Sequence, residues 1–410
     1  MINTYDILII GGGAAGFFTA INAAQRNPNS TIAILERGKE VLTKVKISGG
    51  GRCNVTHAQF IPQELTANYP RGEKELLGPF HTFMTGDTIA WFEARGVPLK
   101  IEEDGRMFPT TDSSQTIIDC FVSETQRLGI AVLKGQAVKR ISKASEMFTV
   151  ETALDTFTST KLVVATGSNP KIWKLLSTFG HSIVRPVPSL FTFNITDDRI
   201  AGLPGVATEA RVAVLDEYGK TILESEGPLL ITHWGMSGPA ILKLSAWGAR
   251  LLEPTDYRFT IRVNWLLDPS VEDVSHSLSV IKDTYPKQTL QKYAQFGLPK
   301  RLWQRLLIAS GLPKTQTWAE ISKKQLTQLA KELTQGEFKV EGKSTFKEEF
   351  VTAGGVQLTE VNFKTFESKL QPNLYFAGEV LNIDAITGGF NFQNAWTGAY
   401  IVARALTEPS

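Results

Sequence analysis

The sequence predicts an α/β fold in which both chain ends build one helix-layered parallel sheet and the middle of the chain forms an insert. Three observations carry this. The opening run DILIIGGGAAGFFTAINAAQ is a short apolar strand, a glycine turn and an alanine-rich helix pattern, followed by a second strand in TIAILER (31–37). KLVVATG (161–167) and LYFAGEV (374–380) repeat the strand-into-glycine-turn pattern far downstream. Between them, turn signals such as Asp216-Glu217-Tyr218-Gly219 punctuate short alternating strands, and a helical stretch follows. The expected division is a sheet domain from 1–189 and 351–410, a β-rich insert from 190–265 and 337–350, and a helical insert from 266–336.

Taken in order, the glycine-rich segment from Val41 to Phe60 reads as an ordered loop. A helix from Asp87 to Arg95 is stopped by Gly96, and a strand pair from Pro98 to Pro109 turns at Asp104-Gly105. The next helix, Ser113 to Leu128, has Ser113 or Ser114 as its cap and Gly129 as its stop. In the helical insert Leu302, Leu306 and Ala309 share a face. Thr317-Trp318-Ala319-Glu320 is a capping box expected to open a helix carrying Ile321, Leu329 and Leu333 and closed by Gly336. Phe392 to Ala405 reads as an amphipathic helix that returns to the first sheet.

A chain of 410 residues exceeds the size at which one hydrophobic core keeps growing, so several packed units are expected. The net charge of +2 predicts no strong field for nucleic acid or membrane. Cys53 and Cys120 are the only cysteines, too few for a disulfide framework and without metal-ligand spacing, as in a reducing compartment. No basic residue precedes Arg26, and no apolar stretch approaches the roughly 18 residues of a membrane span. A cytoplasmic location and no metal are the expectations.

The chemistry lies in the glycines. Gly11-x-Gly13-x-x-Gly16 follows a strand and opens a helix, and Glu36 ends the next strand. Gly11 suits the tight turn, Gly13 lets a pyrophosphate approach the backbone, and Gly16 permits close helix packing. The helix N-terminus offers N–H groups and partial positive charge to the phosphates, and Glu36 can accept from ribose hydroxyls while disfavouring a 2′-phosphate. The motif fits a Rossmann-like domain without choosing between NAD and FAD. The further turns Ala165-Thr166-Gly167 and Ala377-Gly378-Glu379 favour the longer cofactor, FAD, and Gly388-Gly389 opens a second helix N-terminus suited to the flavin carbonyl that gains charge on reduction. KISGGGRCNVTH (46–57) offers backbone that can press against a flat ring, flanked by Ser48, Arg52, Cys53 and Asn54. Lys46 and Arg52 are candidates to stabilise the anionic reduced flavin. Cys53 has no neighbouring cysteine and reads as a packed or flavin-adjacent thiol.

These residues carry a family resemblance. The chain resembles the bacterial NAD(P)/FAD-dependent oxidoreductases that include aminoacetone-oxidase-like and bile-acid-reductase-like flavoproteins. The matching pieces are DILIIGGGAAG, KISGGGRCNVT, Gly105 to Pro109, THWGMSGPA (232–240), TAGGV (352–356), Glu367-Ser368-Lys369 and LYFAGEVLNIDAITGGFNFQNAW (374–396). The resemblance implies that the chain ends hold FAD and that the insert is barrel-like plus helical. The expected cofactor-binding set is Gly11, Gly13, Ala15, Gly16, Glu36, Arg37, Lys46, Ser48, Gly49, Gly50, Arg52, Cys53, Asn54, Val138, Thr166, Gly167, Gly378, Glu379, Asp384, Gly389, Phe390 and Asn391. The family often shows Asn at His57, Asp at Asn382 and Gly at Ala385, local departures that leave Glu379 and Asp384 in place.

The resemblance assigns no catalytic base; His233, beside Trp234, is the weak candidate for a proton donor, against a structural role at a strand-helix junction. No second glycine fingerprint marks a nicotinamide domain, so NADH or NADPH is expected as a transient donor. The leading expectation is an FAD-dependent reductase of an activated ring double bond. The alternatives are a flavin amine oxidase using oxygen, a ribosomal RNA uridine reductase and a non-catalytic flavin-binding protein. From Ile281 to Phe350 there are thirteen Lys or Arg against seven Asp or Glu, with Tyr285, Tyr293, Phe296, Trp303 and Trp318 among them. That pattern keeps RNA as a less favoured partner than a small ring-containing substrate, because an ordinary solvated helical face looks the same.

Overall fold

The computed structural model describes residues 2–344 and 351–408. The chain forms two compact units, Met1–Val187 with Lys347–Ser410 and Pro188–Phe346.

In the first unit the strand Ile2–Ile10 begins with alternating exposure and ends fully buried at Ile7 to Ile10. The reason is its position. It pairs in parallel with Ile32–Leu35 on one side and Thr156–Val164 on the other, so both faces of its second half are covered. Ala131–Leu133 extends the sheet beyond Ile32–Leu35, and Leu374–Phe376, from the far end of the chain, pairs in parallel with Thr156–Val164. A hairpin of Val138–Ala144 and Met147–Thr152 is added antiparallel to that same central strand. The parallel α/β layer is the Rossmann-like arrangement that the β-α-β opening predicts.

The helices Ala14–Arg26 and Phe390–Thr407 pack together in this unit. The second is buried on nearly every face, from Phe390 through Gln393, Trp396, Ala399 and Val402 to Leu406, so it is a central helix and not the amphipathic one expected. Its polar side chains Gln393, Asn394 and Thr397, which suggest an outer face, are themselves buried. Thr56 and Thr88 both donate to Gln393 Oε1 (2.6 and 3.0 Å), and Gln393 Nε2 donates to Thr397 Oγ1 (3.1 Å). Trp396 packs against Phe18, Phe92, Phe121 and Phe392, and its indole N–H donates to Val55 O at 2.9 Å.

In the second unit an antiparallel sheet contains Ala207–Leu215, Thr221–Ile231, Arg258–Asn264 and Gly336–Glu341. The helices Val271–Thr284, Lys300–Ala309 and Lys323–Gln335 share one core with it: Val212, Val214, Ile261 and Val263 join Leu278, Trp303, Leu306 and Leu329. The stretch 239–247, read as part of a β-rich segment, is a helix begun by Pro239. The box at Thr317 forms, yet it opens only a 3₁₀ turn at Trp318–Glu320; a second box, Ser322 with Gln325, opens the long helix. Of the segment 337–350, residues 345–350 lie outside the described residues. No helix among the described residues is long and apolar enough to cross a membrane.

Replacing Trp396 with Phe keeps most of the aromatic packing but leaves the buried Val55 carbonyl without its donor. The expected loss is about 1–3 kcal/mol. It should appear as a lower urea midpoint in far-UV circular dichroism, and an unchanged midpoint would assign the indole N–H no role.

Candidate functional site

The site grows from the carboxyl ends of neighbouring parallel strands. After Ile10 the chain turns at Gly11, whose φ of +118° and lack of a side chain let it lie against the Ala165 carbonyl; a Cβ there would overlap it. A Cβ on Gly16 would in turn overlap the Gly11 carbonyl, so the first helix sits as close to its turn as glycine allows. Gly13 differs. It is the N-cap of the first helix with no side-chain cap, and nothing lies within 4 Å of its missing Cβ. The helix N-terminus is therefore bare and open, the arrangement an anion requires.

Glu36 ends the next strand, and its carboxylate accepts from Gly12 N–H at 3.0 Å and Gly38 N–H at 2.6 Å. Each oxygen keeps acceptor capacity for a ribose hydroxyl. Gln136 N–H donates to Glu36 O at 2.8 Å, which brings the chain just before Val138 alongside Glu36, while Arg37 is exposed. On the other side, Ala377 N–H donates to Val164 O at 3.2 Å, and the missing Cβ of Gly378 would stand 3.2 Å from Ala15 Cβ. Glu379 pairs with Lys44 at 2.7 Å, and its carboxylate lies 3.8 Å from the Cβ position of Gly167, next to Thr166. Three turns thus converge on the first helix. Lys44, which the sequence reading passed over in favour of Lys46, holds the third.

The segment read as a loop begins as a helix, Thr43–Gly51, that breaks at Ser48, Gly49 and Gly50. Gly49, Gly50 and Gly51 take φ of +57°, +69° and +85°, a run that L side chains resist. Gly49 packs against Asn54 and Phe108, whereas Gly50 and Gly51 border open space. Ser48 Oγ donates to Val45 O at 2.8 Å. The Lys46 side chain is exposed. The Arg52 guanidinium stacks 3.9 Å from the Phe108 ring centre and pairs with Glu102 (2.6 Å) and Asp112 (3.5 Å), so its charge is already compensated. Cys53 is fully buried, and desolvation pushes its thiol from 9.0 up to about 12.

The C-terminal loop closes the site. Asp384 is fully buried and forms a two-pronged ion pair with Arg71, through Nε at 2.6 Å and through Nη2. That commits Asp384 to holding the loop rather than leaving its carboxylate open. Asn391 accepts from Ala385 N–H (3.0 Å) and donates to Ala385 O (3.2 Å), clamping the same loop. His57 Nδ1 bonds Gly388 O at 3.0 Å, and since a carbonyl only accepts, Nδ1 carries the proton. The same imidazole stacks on Phe390 with ring centres 4.5 Å apart. The Cβ position of Gly389 lies 2.6 Å from Thr56 O and 2.8 Å from Asn54 Oδ1, and no side chain caps the 18-residue helix that follows. Asn54 Oδ1 is buried with no hydrogen-bond partner among the described residues. Arg71 and Tyr69, whose hydroxyl donates to Phe390 O at 2.5 Å, were missed in sequence, because nothing in TANYPRG marks them as partners of a loop 300 residues away.

Two uncapped helix N-termini, one acidic strand end, a bare glycine ledge and an orphaned buried amide oxygen fit a long cofactor with phosphates at one end and a polar ring at the other. The residues present suit FAD. Fold and site together define a flavin-dependent oxidoreductase. The chain belongs to the HI0933-like Rossmann-domain family, whose model matches residues 5–405. It is 28% identical to the 3-dehydro-bile acid delta(4,6)-reductase of Clostridium scindens over 98% of both chains. It is 29% identical to the ribosomal RNA dihydrouridine synthase of Haemophilus influenzae, again over 98% of both. Among solved structures, the 3-ketosteroid-delta4-(5alpha)-dehydrogenase of Rhodococcus jostii RHA1 matches with a TM-score of 0.51 and 11% identity, over 99% of this chain and 97% of that one, a likeness of fold. His233 lies apart from the glycine turns in sequence and lines a cleft of the second unit.

Removing the Glu36 carboxylate with Glu36→Ala should weaken FAD binding about ten- to a hundred-fold, the range for a lost charge-assisted hydrogen bond. Titration of apoprotein with FAD measures this, and an unchanged dissociation constant refutes the ribose role. For Cys53 the sign of the pH effect is fixed by its raised value. The folded state keeps a proton that the unfolded chain releases, so the stabilising contribution is complete below about pH 9 and is lost as pH rises toward about 12. Iodoacetamide at pH 8.5 should leave Cys53 unmodified in the folded protein and label it in urea.

Proposed function

We propose that the protein reduces an activated carbon–carbon double bond within a ring, drawing electrons from NADH or NADPH that docks transiently. The observation that carries this is the uncapped N-terminus of the helix Phe390–Thr407, set beside the buried Asn54 Oδ1, which has no partner among the described residues. A helix N-terminus favours negative charge, so this end of the site favours the reduced, anionic state of a ring placed against it. FAD, when bound, supplies hydride chemistry there. The chain's own residues bind and orient. The bare turn from Gly11 to Ala15 would hold the pyrophosphate and Glu36 the ribose, while the amides after Gly389 and the ledge at Gly50 would meet the ring. Gly49, Asn54, Phe390 and Asn391 form the frame behind that ledge, with Lys44 and Glu379 fixing the turn between the two ends.

The relatives support the reading. One is named as a bile acid delta(4,6)-reductase and another for making dihydrouridine, a nucleoside whose base has had its ring double bond saturated. Uridine in ribosomal RNA is the second reading. The exposed Lys300 and Arg301 on the insert, with Lys323 and Lys324, favour it.

Anaerobic stopped-flow tests the proposal. NADH or NADPH should bleach the flavin absorbance, and a cyclic enone or a uridine-containing ribosomal RNA fragment should restore it faster than air does. If neither nicotinamide bleaches the flavin and small primary amines do so rapidly, the protein is an amine oxidase instead.

A further inference from the structure

Wholly within the second unit lies a cleft of about 610 Å³. Its walls come from the turn after Thr192–Asn194, the loop through Ala201 and Gly202, and the tight turn Thr232 to Gly235. That last turn is rigidly built: Thr232 N–H donates to Gly235 O at 2.8 Å, and Ile195 N–H donates to Trp234 O at 2.9 Å. It nevertheless leaves the Trp234 side chain 58% exposed inside a concave surface. An indole held by its backbone and bare on its face is a stacking platform for a flat ring.

Polar groups stand beside it. Asn194 uses its amide oxygen to accept from Ser344 at 2.8 Å, which leaves its NH₂ donors available. Glu341, also in the lining, has no cationic partner among the described residues, whereas Asp197 is neutralised by Arg199 at 2.7 Å. An amide donor and a carboxylate acceptor together match the mixed N–H and C=O edge of a nucleobase or a carboxamide.

Cations lie on one rim. The helix Lys300–Ala309 buries Leu302, Trp303, Leu306 and Leu307, which turns Arg301 and Arg305, four residues apart, to a common face. Arg301 donates to the carbonyl of Gly202, a cleft residue, and Arg305 Nη2 stands 3.5 Å from the Cβ position of the same glycine. Neither arginine is paired with a carboxylate among the described residues. Uncompensated guanidinium groups at the edge of an aromatic platform are suited to phosphate.

We propose that this cleft is a nucleotide-binding site, with the base stacked on Trp234, its polar edge read by Asn194 and Glu341, and its phosphate held by Arg301 and Arg305. The chemistry is shared by a free dinucleotide and by a strand of RNA, so the test has two arms. Oxidised holoprotein is titrated at equilibrium with NADP⁺, which cannot reduce the flavin, and, separately, with a single-stranded uridine pentanucleotide, following tryptophan fluorescence and calorimetric heat without turnover. At least one probe should bind. Trp234→Ala should weaken it about five- to a hundred-fold, the range for loss of one base-stacking contact. Arg305→Ala should weaken it and, in the RNA arm, lower the slope of log affinity against log salt by about one. Trp234 is exposed and Arg305 half-buried, and circular dichroism with flavin absorbance checks that each variant is folded. Binding of NADP⁺ alone marks a dinucleotide site, and binding of RNA alone marks a polynucleotide site. No binding of either probe, or binding that both variants leave unchanged, overturns the proposal. Because nothing is reduced in the assay, failure of the ring-reductase reading would leave this result standing.

Discussion

The site depends first on one steric fact: the chain can pass from Ile10 to the first helix only if Gly11 carries no side chain, because Ala165 O occupies the place of its Cβ. That contact fixes the distance between two adjacent strand ends. Gly16 extends it by letting the helix descend onto the Gly11 carbonyl, and Gly378 then fits against Ala15 on the other side. A larger residue at the first of these positions would part the strand ends and displace the helix N-terminus from the place where strands from both chain ends converge. Gly13 is needed for the opposite reason, since it keeps its space empty.

The second constraint is the return of the chain end. A helix at the centre of a domain must satisfy polar groups that a surface helix leaves to water. Thr56, Thr88 and Thr397 do this for Gln393, and Tyr69 does it for Phe390 O. Apart from Thr397, these partners lie more than 300 positions away in the chain, so the glycine ledge of residues 49–51 and the loop before the last helix are positioned by the same interior. Arg71 and Asp384 act in this sense. An unpaired buried carboxylate would cost several kcal/mol, and the bidentate partner makes its burial tolerable while pinning the loop.

The parallel layer and the first helix were legible because strand-to-glycine turns repeat and because an uninterrupted apolar run has few uses other than a strand covered on both faces. The helix Ser114–Arg127 was legible from Ser113 and Gly129, its local punctuation. What escaped the sequence reading was whatever depends on partners distant in the chain. The last helix looked amphipathic, yet its polar Gln393, Asn394 and Thr397 are interior residues; Gln393 is met by threonines of other segments and Thr397 by the Phe83 carbonyl. The contacts of Arg52 with Glu102, Asp112 and Phe108 escaped in the same way, because their spacing from Arg52 carries no local signal. The Thr317 box formed as read, yet it cannot tell a single turn from a helix, because a cap satisfies only the first N–H groups of either.

Charge in the flavin site therefore comes less from side chains than from backbone. With Arg52 matched by two carboxylates, Lys44 by Glu379 and Arg71 by Asp384, the cations of this region are largely compensated within the protein. Besides the exposed Lys46, what stays uncompensated among the described residues is the pair of helix N-termini at Gly13 and Gly389, neither with a side-chain cap. Fixed amide dipoles suit this better than mobile lysines. They need no ordering when a ligand arrives, their strength does not change with pH, and two separate ends can serve two anionic parts of one molecule without drawing the parts together. The glycines at these ends are thus as much electrostatic as steric residues, since a β-carbon at Gly389 would strike Thr56 O and Asn54 Oδ1 and displace the helix end.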